Sequence, residues 1–430
     1  MSLLGRGSYN FVYRLQFEDG SDVAASISKD DEKDFNPSAK LSEISTMRYV
    51  WESQELYPQI PVPKIHVWDL SFNNPIGAPY VLMEVSRGVS LSLRADDGHK
   101  GLDSMTFADQ LTVVDTLASI QVSLSKPVSF NRIGSLLSEK DKYVVGELVN
   151  IQNRIFGGPY HDISDLWYAV LEREVTKALK EWDNLESDAI PDSYYNGTPK
   201  KFGELLQILS ALIPYFTPPS SHLTLVLHHP DLALRNILFD EKDLTKPTAI
   251  IDWGGAQILP LIFTAHFPSD LMSTDELSER QDNPLDEDWH TVPHDWTALG
   301  DTSSWPNVFR SKDDLVDQVA IGSIGACFSR HMHKLHGNVN LSHATVFLNA
   351  PYYLKFQEVI MGGSDGWFHH EKWIRETFKR LKILESPAGK IVVGPNVYRL
   401  SVEELSYDLG FLERSDAMKP CPCVLKGGAI

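Results

Sequence analysis

The sequence predicts an α+β chain of two unequal lobes, a small β-rich one at the N-terminus and a large, mostly helical one after it. Three observations carry this expectation. Residues 11–17 alternate in side-chain character with a period of two, the mark of a half-buried strand. Past Gly88 the apolar residues recur instead at three- and four-residue steps. Two short apolar runs, 236–239 and 248–251, interrupt that helical region and flank the charged turn Asp240-Glu241-Lys242-Asp243.

In order along the chain, Phe11, Tyr13, Leu15 and Phe17 alternate with Val12, Arg14 and Gln16, and residues 22–28 form a second strand across the turn at Asp19-Gly20. Residues 38–51 change to helical spacing, with Leu41, Ile44, Met47 and Val50/Trp51 on one face, and Pro58, Pro61 and Pro63 end the helix. Ile65–Trp68 and Tyr80–Val85 read as two more strands, giving an opening of β-β-α-β-β. Thr106 is placed to cap a helix running to about Leu124, with Phe107, Leu111, Val114 and Ala118 as its buried stripe. Asp162 opens another, carrying Ile163, Leu166, Val170 and Val175, and residues 202–213 form a third. A short β-like stretch, Leu223–Leu227, precedes the two apolar runs, and the chain from about 305 onward reads as mostly helical. The lobes are expected over residues 1–87 and 88–430.

Composition narrows the function. With 430 residues, the chain suits one large bilobal unit or two domains, and 42% hydrophobic residues suffice for a real core. No run approaches the roughly 18 apolar residues of a membrane span. The opening MSLLGRGSYN has neither the apolar centre of a secretory signal nor the Arg/Ser-rich character of a mitochondrial presequence, so the cytosol is the expected location. Three cysteines, Cys327, Cys421 and Cys423, are an odd and sparse count that suits a reducing compartment. A formal charge of −19 argues against nucleic acid, which needs clustered Lys and Arg, and is compatible with a cationic or neutral small molecule. Residues 270–295 are strongly acidic; such a run is more often a solvated loop than a cation-binding wall.

The chemistry concentrates in residues 227–253, LHHPDLALRNILFDEKDLTKPTAIIDW. Asp231 and Asn236 bracket a loop, and Asp252 follows Ala249-Ile250-Ile251. If the two apolar runs pair as a hairpin, Asn236 and Asp252 meet at one end. A carboxylate and a carboxamide oxygen there suit Mg²⁺, a hard cation that takes oxygen ligands. Asp231 stands near enough to orient an attacking hydroxyl, which completes the layout that phosphoryl transfer requires. Each of these residues alone is an ordinary cap or turn residue; the joint spacing H-x-D-x₄-N followed by apolar-apolar-Asp-Trp is what carries the reading.

His229-Pro230-Asp231-Leu232, Asn236-Ile237-Leu238 and Ile250-Ile251-Asp252-Trp253 resemble the signature of aminoglycoside phosphotransferases and choline-kinase-like enzymes. Ser8 to Leu15, Glu43 to Met47, Ile60 to Pro63 and Asn74 to Glu84 are similar to segments of fungal members, in the branch related to altered-inheritance-of-mitochondria proteins. The resemblance covers about residues 4–270. It implies a bilobal protein-kinase-like fold, ATP and Mg²⁺ as cofactors, Asp231 as catalytic base, and Asn236 and Asp252 as metal ligands. It also admits a mitochondrial location. In this setting Gly5-Arg6-Gly7-Ser8-Tyr9-Asn10, by itself compatible with an ordinary β-turn, reads as the loop over the ATP phosphates, with Gly5, Gly7, Ser8 and Asn10 as nucleotide contacts. Glu84 and Val85 fall at the hinge, where backbone groups would hold adenine.

One departure matters. The family's third strand carries a Lys or Arg that holds the α- and β-phosphates and pairs with a helix Glu. Here Glu43 is present but the strand position is Ser26. Two outcomes follow: Arg6, Arg14 or Lys29 supplies the charge, as happens in with-no-lysine kinases, or the chain is a pseudokinase that binds nucleotide or a partner without turnover. A protein kinase is disfavoured by the long helical segment between Gly88 and Leu225 and by the lack of Ala-Pro-Glu after Asp252.

Overall fold

The computed structural model describes residues 1–58, 60–92, 100–102, 105–140, 142–183, 199–218, 222–265, 350 and 353–380. The acidic stretch 270–295, most of the helical region expected beyond 305, and Cys327, Cys421 and Cys423 lie outside the described residues.

The N-terminal part is a five-stranded antiparallel sheet of β1 (Ser2–Arg6), β2 (Asn10–Gln16), β3 (Asp22–Ser28), β4 (Ile65–Asp69) and β5 (Tyr80–Met83), ordered β1-β2-β3-β5-β4. The β2–β3 turn is where the sequence places it. Gly20 takes φ 84°, and Asp19 Oδ1 accepts the backbone N–H of Ser21 at 2.9 Å, an Asx turn that the Asp-Gly pair is suited to make. β1 is an addition to the expected order, and it takes Gly5 and Arg6 out of the glycine-rich loop and into an edge strand. The turn itself is Gly7–Tyr9, closed by Gly7 N–H donating to Asn10 O at 3.0 Å.

Helix α1 (Pro37–Glu52) crosses between β3 and β4. It starts where Asn36 Oδ1 accepts the N–H groups of Ser38 and Ala39, with Pro37 in the first turn, where its missing N–H costs nothing. The expected apolar stripe is corrected in part. Ile44, Met47 and Val50 are buried, but Leu41 and Trp51 are exposed. The inward face is broader and more polar than periodicity suggested, because Ala39, Ser42, Ser45 and Thr46 are buried too. Ser45 Oγ accepts the N–H of Ser138 at 3.0 Å, so the helix packs on more than one side.

The remainder mixes short sheets with helices. It contains β6 (Val89–Ser92), β7 (Lys100–Gly101), α2 (Phe107–Leu124), the hairpin β8 (Ser135–Glu139) and β9 (Lys142–Gly146), α3 (Ile163–Asp183) and α4 (Pro199–Phe216). Then follow β10 (Leu225–His228), β11 (Ile237–Phe239), β12 (Pro247–Ile250) and β13 (Gln257–Pro260). Helical residues 353–361, here α5, precede α6 (Gly363–His369) and α7 (Glu371–Arg380). Thr106 caps α2 by accepting the N–H of Asp109, and Asp162 accepts that of Asp165 at the start of α3, both as expected. Val114 and Ala118 are fully buried; the side chains of Phe107 and Leu111 are outside the described set. Among the described residues no helix is long and apolar enough to cross a membrane.

Two hydrophobic clusters organise the molecule. One joins α3, α4 and α5–α7 through Trp167, Leu209, Phe216, Phe356, Trp367 and Trp373. The other joins Met47, Tyr49 and Val50 of α1 to α2 and to Leu227, Ile237, Phe239, Ile250 and Trp253. This second core crosses the line between the lobes and places α1 against the 236–253 hairpin.

The connection between the two regions is tight at Gly88. Its φ is 143°, and a Cβ there would stand 2.5 Å from Phe239 O and 2.8 Å from Thr248 Oγ1. Thr248 Oγ1 meanwhile donates within reach of both Arg87 O, at 2.7 Å, and Leu238 O, at 3.0 Å. Substituting Gly88→Ala is therefore expected to destabilise the chain by roughly 2 kcal/mol or more, since clash and unfavourable φ combine. A urea midpoint equal to that of wild type would refute the close approach.

Candidate active site

The site is built on the β11–β12 hairpin. Ile237 pairs with Ile250 and Leu238 with Ala249, and the ladder extends one step when Ile251 N–H donates to Asn236 O at 2.9 Å. Asn236 therefore stands beside Ile251, and Asp252 is the next residue out. Asp252 sits at φ 61°, a left-handed conformation uncommon for a residue with a side chain. The turn that follows is fixed by Trp253, fully buried with Nε1–H donating to Ile250 O at 3.0 Å, and by Gly255 at φ 72° packed against Asn150 and Ile151.

Asp231 is held from two sides. Asn236 Nδ2 donates to its Oδ2 at 2.8 Å and to its backbone carbonyl at 2.9 Å, while Arg235 forms an ion pair with Oδ1. Beneath it lies His229, 2% exposed. Its Nδ1 lies 3.3 Å from the N–H of Asp231 and its Nε2 lies 3.1 Å from Ile251 O. A backbone N–H only donates and a carbonyl only accepts, so the ring is the neutral tautomer with hydrogen on Nε2. Burial pushes its pKa down to about 4, against smaller opposing effects from its hydrogen bonds and from Asp231 and Glu43.

Negative charge accumulates at the open side. Asp252 is accessible in the cleft but partly dehydrated by its surroundings, and that loss of hydration, then the charges of Glu43 and Asp231, raise its pKa; Lys40 and Arg235 pull it back. Gly254 marks the meeting point: a Cβ built there would be 3.6 Å from Asp252 Oδ1 and 4.0 Å from Glu43 Oε2. The donor set fits a hard divalent cation. Asp252 offers a carboxylate. Asn236 spends its Nδ2 on Asp231, which leaves Oδ1 as an oxygen ligand. Among the described residues no group of three or more His, Cys, Asp or Glu side chains is arranged to hold a metal. Two protein ligands, with phosphate and water supplying the rest, is the usual habit of Mg²⁺.

The structure thus brings Asp231, Asn236, Asp252 and Glu43 together. Gly5 lies in β1, Gly7 and Ser8 in the β1–β2 turn, and Asn10 opens β2 opposite Ser28. Ser26 is buried in β3, paired with Val12 and Val81. Glu84 is exposed after β5, its N–H donating to Lys64 O at 2.9 Å, and half-buried Val85 follows. Among the described residues no hydrogen bond or ion pair joins Gly5, Gly7, Ser8, Asn10, Glu84 or Val85 to the Asp231 cluster.

Sequence reasoning missed two cations. Arg235, four residues after Asp231, pairs with it. Lys40, three residues before Glu43, lies with Nζ 2.8 Å from Glu43 Oε2. Of the cations named from sequence, Arg14 is paired with Asp22, Arg6 stacks on the Phe11 ring at 5.4 Å, and Lys29 lies over the same ring at 4.5 Å while donating to Gly7 O. The spacing of Lys40 three residues before Glu43 on one helix is the sequence signal that points to their pairing.

The model of the phosphotransferase enzyme family, APH, matches residues 4–263, more than half of the chain. The chain belongs to that family. As a member of the phosphotransferase enzyme family it has the kinase-like α+β fold, with the sheet first and the helical part after it. A subtelomeric hrmA-associated cluster protein of Aspergillus fumigatus is 26% identical over 321 residues, 62% of this chain and 59% of that protein. Altered inheritance of mitochondria protein 9 of Lachancea thermotolerans is 27% identical over 300 residues, 59% of this chain and 45% of that protein. The match therefore spans about half the length of these curated relatives. A crystal structure of a thermostable mutant of aminoglycoside phosphotransferase APH(4)-Ia, apo form, aligns over 90% of this phosphotransferase-family chain and 94% of its own, at 13% identity and a TM-score of 0.40.

The His229 pKa has a consequence for stability. In the unfolded chain a histidine protonates near 6.5, whereas folded His229 waits until about 4. Between those values the unfolded state binds more protons, so stability rises with pH and is lost as pH falls from about 6.5 to about 4. Comparing urea unfolding of wild type and His229→Gln from pH 7 to pH 4, the wild-type advantage is expected to shrink by on the order of 3 kcal/mol. A pH-independent difference would place a charged or solvated ring at this position.

Proposed function

We propose that this protein is an ATP- and Mg²⁺-dependent phosphotransferase acting on a hydroxyl of a small molecule. The observation that carries the reading is the convergence of Asp231, Asn236 and Asp252 at the end of one hairpin, locked by His229. In the reaction, the acceptor oxygen bonds to the γ-phosphorus, the bond from that phosphorus to the β–γ bridging oxygen breaks, and ADP leaves. Asp231 orients the acceptor hydroxyl and takes its proton, with Asn236 and Arg235 fixing the carboxylate. Asn236 and Asp252 would hold Mg²⁺, which neutralises phosphate charge when bound. Gly5, Gly7, Ser8 and Asn10 would cover the phosphates, Ser26 and Glu43 line the inner wall, and backbone groups at Glu84 and Val85 receive adenine. On this reading residues 1–87 form the nucleotide-binding lobe and the rest the acceptor-binding lobe, with the catalytic loop at 228–253. The acidic balance, −19 overall, favours a neutral or cationic acceptor over a nucleic acid.

A second reading is favoured by one observation. Ser26 is buried where the family has a charge, so the chain could bind nucleotide without turnover. ADP release measured across a panel of hydroxylated metabolites separates the two: acceptor-dependent release supports transfer, and tight nucleotide binding with no release across the panel supports a pseudokinase.

Two substitutions test the assignments. Asp231→Asn is expected to leave nucleotide affinity nearly unchanged and to slow turnover about 10²-fold or more, the usual share of general-base assistance. Turnover close to wild type would remove Asp231 from the mechanism. Asp252→Ala is expected to abolish the Mg²⁺ dependence of nucleotide binding, because Asn236 alone is a neutral ligand. Calorimetry giving equal Mg·ATP affinity for this variant would sink the metal assignment.

A further inference from the structure

Lys40 is not placed like a surface lysine. It lies four residues before Ile44 and seven before Met47, both buried, so it shares the inward face of α1. Its side chain is 12% exposed and its Nζ is 2.8 Å from Glu43 Oε2. A lysine and a glutamate three residues apart on a helix usually form a solvated pair that orders nothing else. Here the glutamate oxygen in that pair also faces Gly254, where Asp252 Oδ1 converges on it. The ammonium is thus held on the carboxylate that shares the surroundings of Gly254 with Asp252, the residue assigned to the metal.

The third strand carries no cation at the position where the family has one. Ser26 occupies that position; it is buried, and its side chain carries no charge. Other cations near the nucleotide end are engaged elsewhere. Arg14 pairs with Asp22, Arg6 and Lys29 pack on Phe11 at the glycine turn, and Arg235 pairs with Asp231. Phosphates in a partly dehydrated cleft need a side-chain cation in addition to a bound metal.

We propose that Lys40, carried by α1 and held by Glu43, takes the place of the missing strand cation and binds the α- and β-phosphates of the nucleotide. The helix brings Lys40 to this place because its start is anchored twice. Asn36 caps it and also donates from Nδ2 to Asn153 O at 2.8 Å. Asn153 belongs to the tight turn 150–154, whose residues Asn150 and Ile151 pack on Gly255, three residues after Asp252. The same turn therefore sets both α1 and the metal-binding end of the hairpin. This inference rests on the phosphotransferase reading above.

The test is nucleotide binding by the 430-residue chain, measured by calorimetry with Mg·ADP and, separately, with adenosine, which lacks the phosphates. Lys40→Met is expected to weaken Mg·ADP about tenfold or more, as loss of a charge-assisted hydrogen bond does, while adenosine affinity stays within about twofold. Lys40→Arg is expected to keep most of the Mg·ADP affinity. Adding Ser26→Lys to Lys40→Met is expected to restore it, since the charge returns from the strand. Lys29→Met and Arg6→Met are expected to leave the ratio of the two affinities near that of wild type. Should Lys40→Met fail to fold, Lys40→Gln read by the same ratio replaces it. A folded Lys40 variant without the charge that binds Mg·ADP as wild type does overturns the proposal. If wild type binds Mg·ADP but Lys29→Met alone loses it, the cation is Lys29 and the proposal is wrong. Wild type that binds neither probe would instead overturn the phosphotransferase reading, and this inference with it.

Discussion

The two hydrogen bonds of His229 join the two stretches of chain that carry Asp231 and Asp252. One ring nitrogen receives the N–H of Asp231, in the loop; the other donates to Ile251 O, on the hairpin edge next to Asp252. Both partners are backbone groups, so the ring fixes chain positions rather than side-chain rotamers. Each bond runs in one direction only, and a second proton on the ring would set a donor against the Asp231 N–H. Burial favours the same neutral form. Trp253 closes the arrangement, its ring packed edge-on to His229 with centroids 4.7 Å apart. The separation between Asp231 and Asp252 is consequently a property of backbone held by a neutral, buried ring.

What lies around that lock is a second constraint, the placement of α1. The helix is pressed on the hairpin by a shared core of Met47, Val50, Ile237, Ile250 and Trp253. Its first turn is tied through Asn36 to the turn at 150–154, which also touches Gly255. Ile250 N–H reaches Pro61 O at 2.7 Å, so the segment after the helix bonds to the hairpin as well. Glu43 and Asp252 meet over Gly254 as a result of these contacts and not by direct attraction, for both are anionic. Burial first, and then the charge of Glu43, raise the Asp252 pKa, and a site arranged this way favours positive charge beside Asp252.

How much of this the sequence discloses depends on whether the signal is local. The Asp19-Gly20 turn, the Thr106 cap and the 237–250 hairpin all rest on residues within a few positions of one another, and all appear in the structure. The hairpin in turn makes the meeting of Asn236 and Asp252 legible from spacing. β1 and the β8–β9 hairpin were not legible: β1 is an exposed edge whose residues show no alternation, and Ser135, Leu136 and Leu137 run inward together before the strand turns exposed. β6 depends on β11, some 150 residues away, for its partner. In α1 the periodicity misled because the helix buries small and polar residues on a wide face, which dilutes the contrast between Ile44 and Leu41. The same dilution hid Lys40, since a lysine among alternating polar residues reads as solvated unless the inward face is already known.

The relation between Ser26 and Lys40 follows from the same distinction between a charge and the element that carries it. Phosphate oxygens respond to the field at their position, and that field depends on where the cation stands. A lysine on β3 and a lysine on α1 would reach the phosphates from different elements, and Glu43 is carried by the second of them. With the strand residue reduced to serine, the glutamate keeps a partner only if one comes from its own helix, and a residue three positions earlier is within reach of it. Lys40 meets that requirement at 2.8 Å. The cost is a change of direction: the ammonium enters from the helix side, so the glutamate no longer pins a strand to a helix but orients a side chain of its own element. Movement of α1 would then carry both members of the pair together, and the distance between them would be insensitive to how far the helix stands from the sheet. The position of the pair relative to Asp252 would not be, and it is the turn at 150–154 that holds that distance.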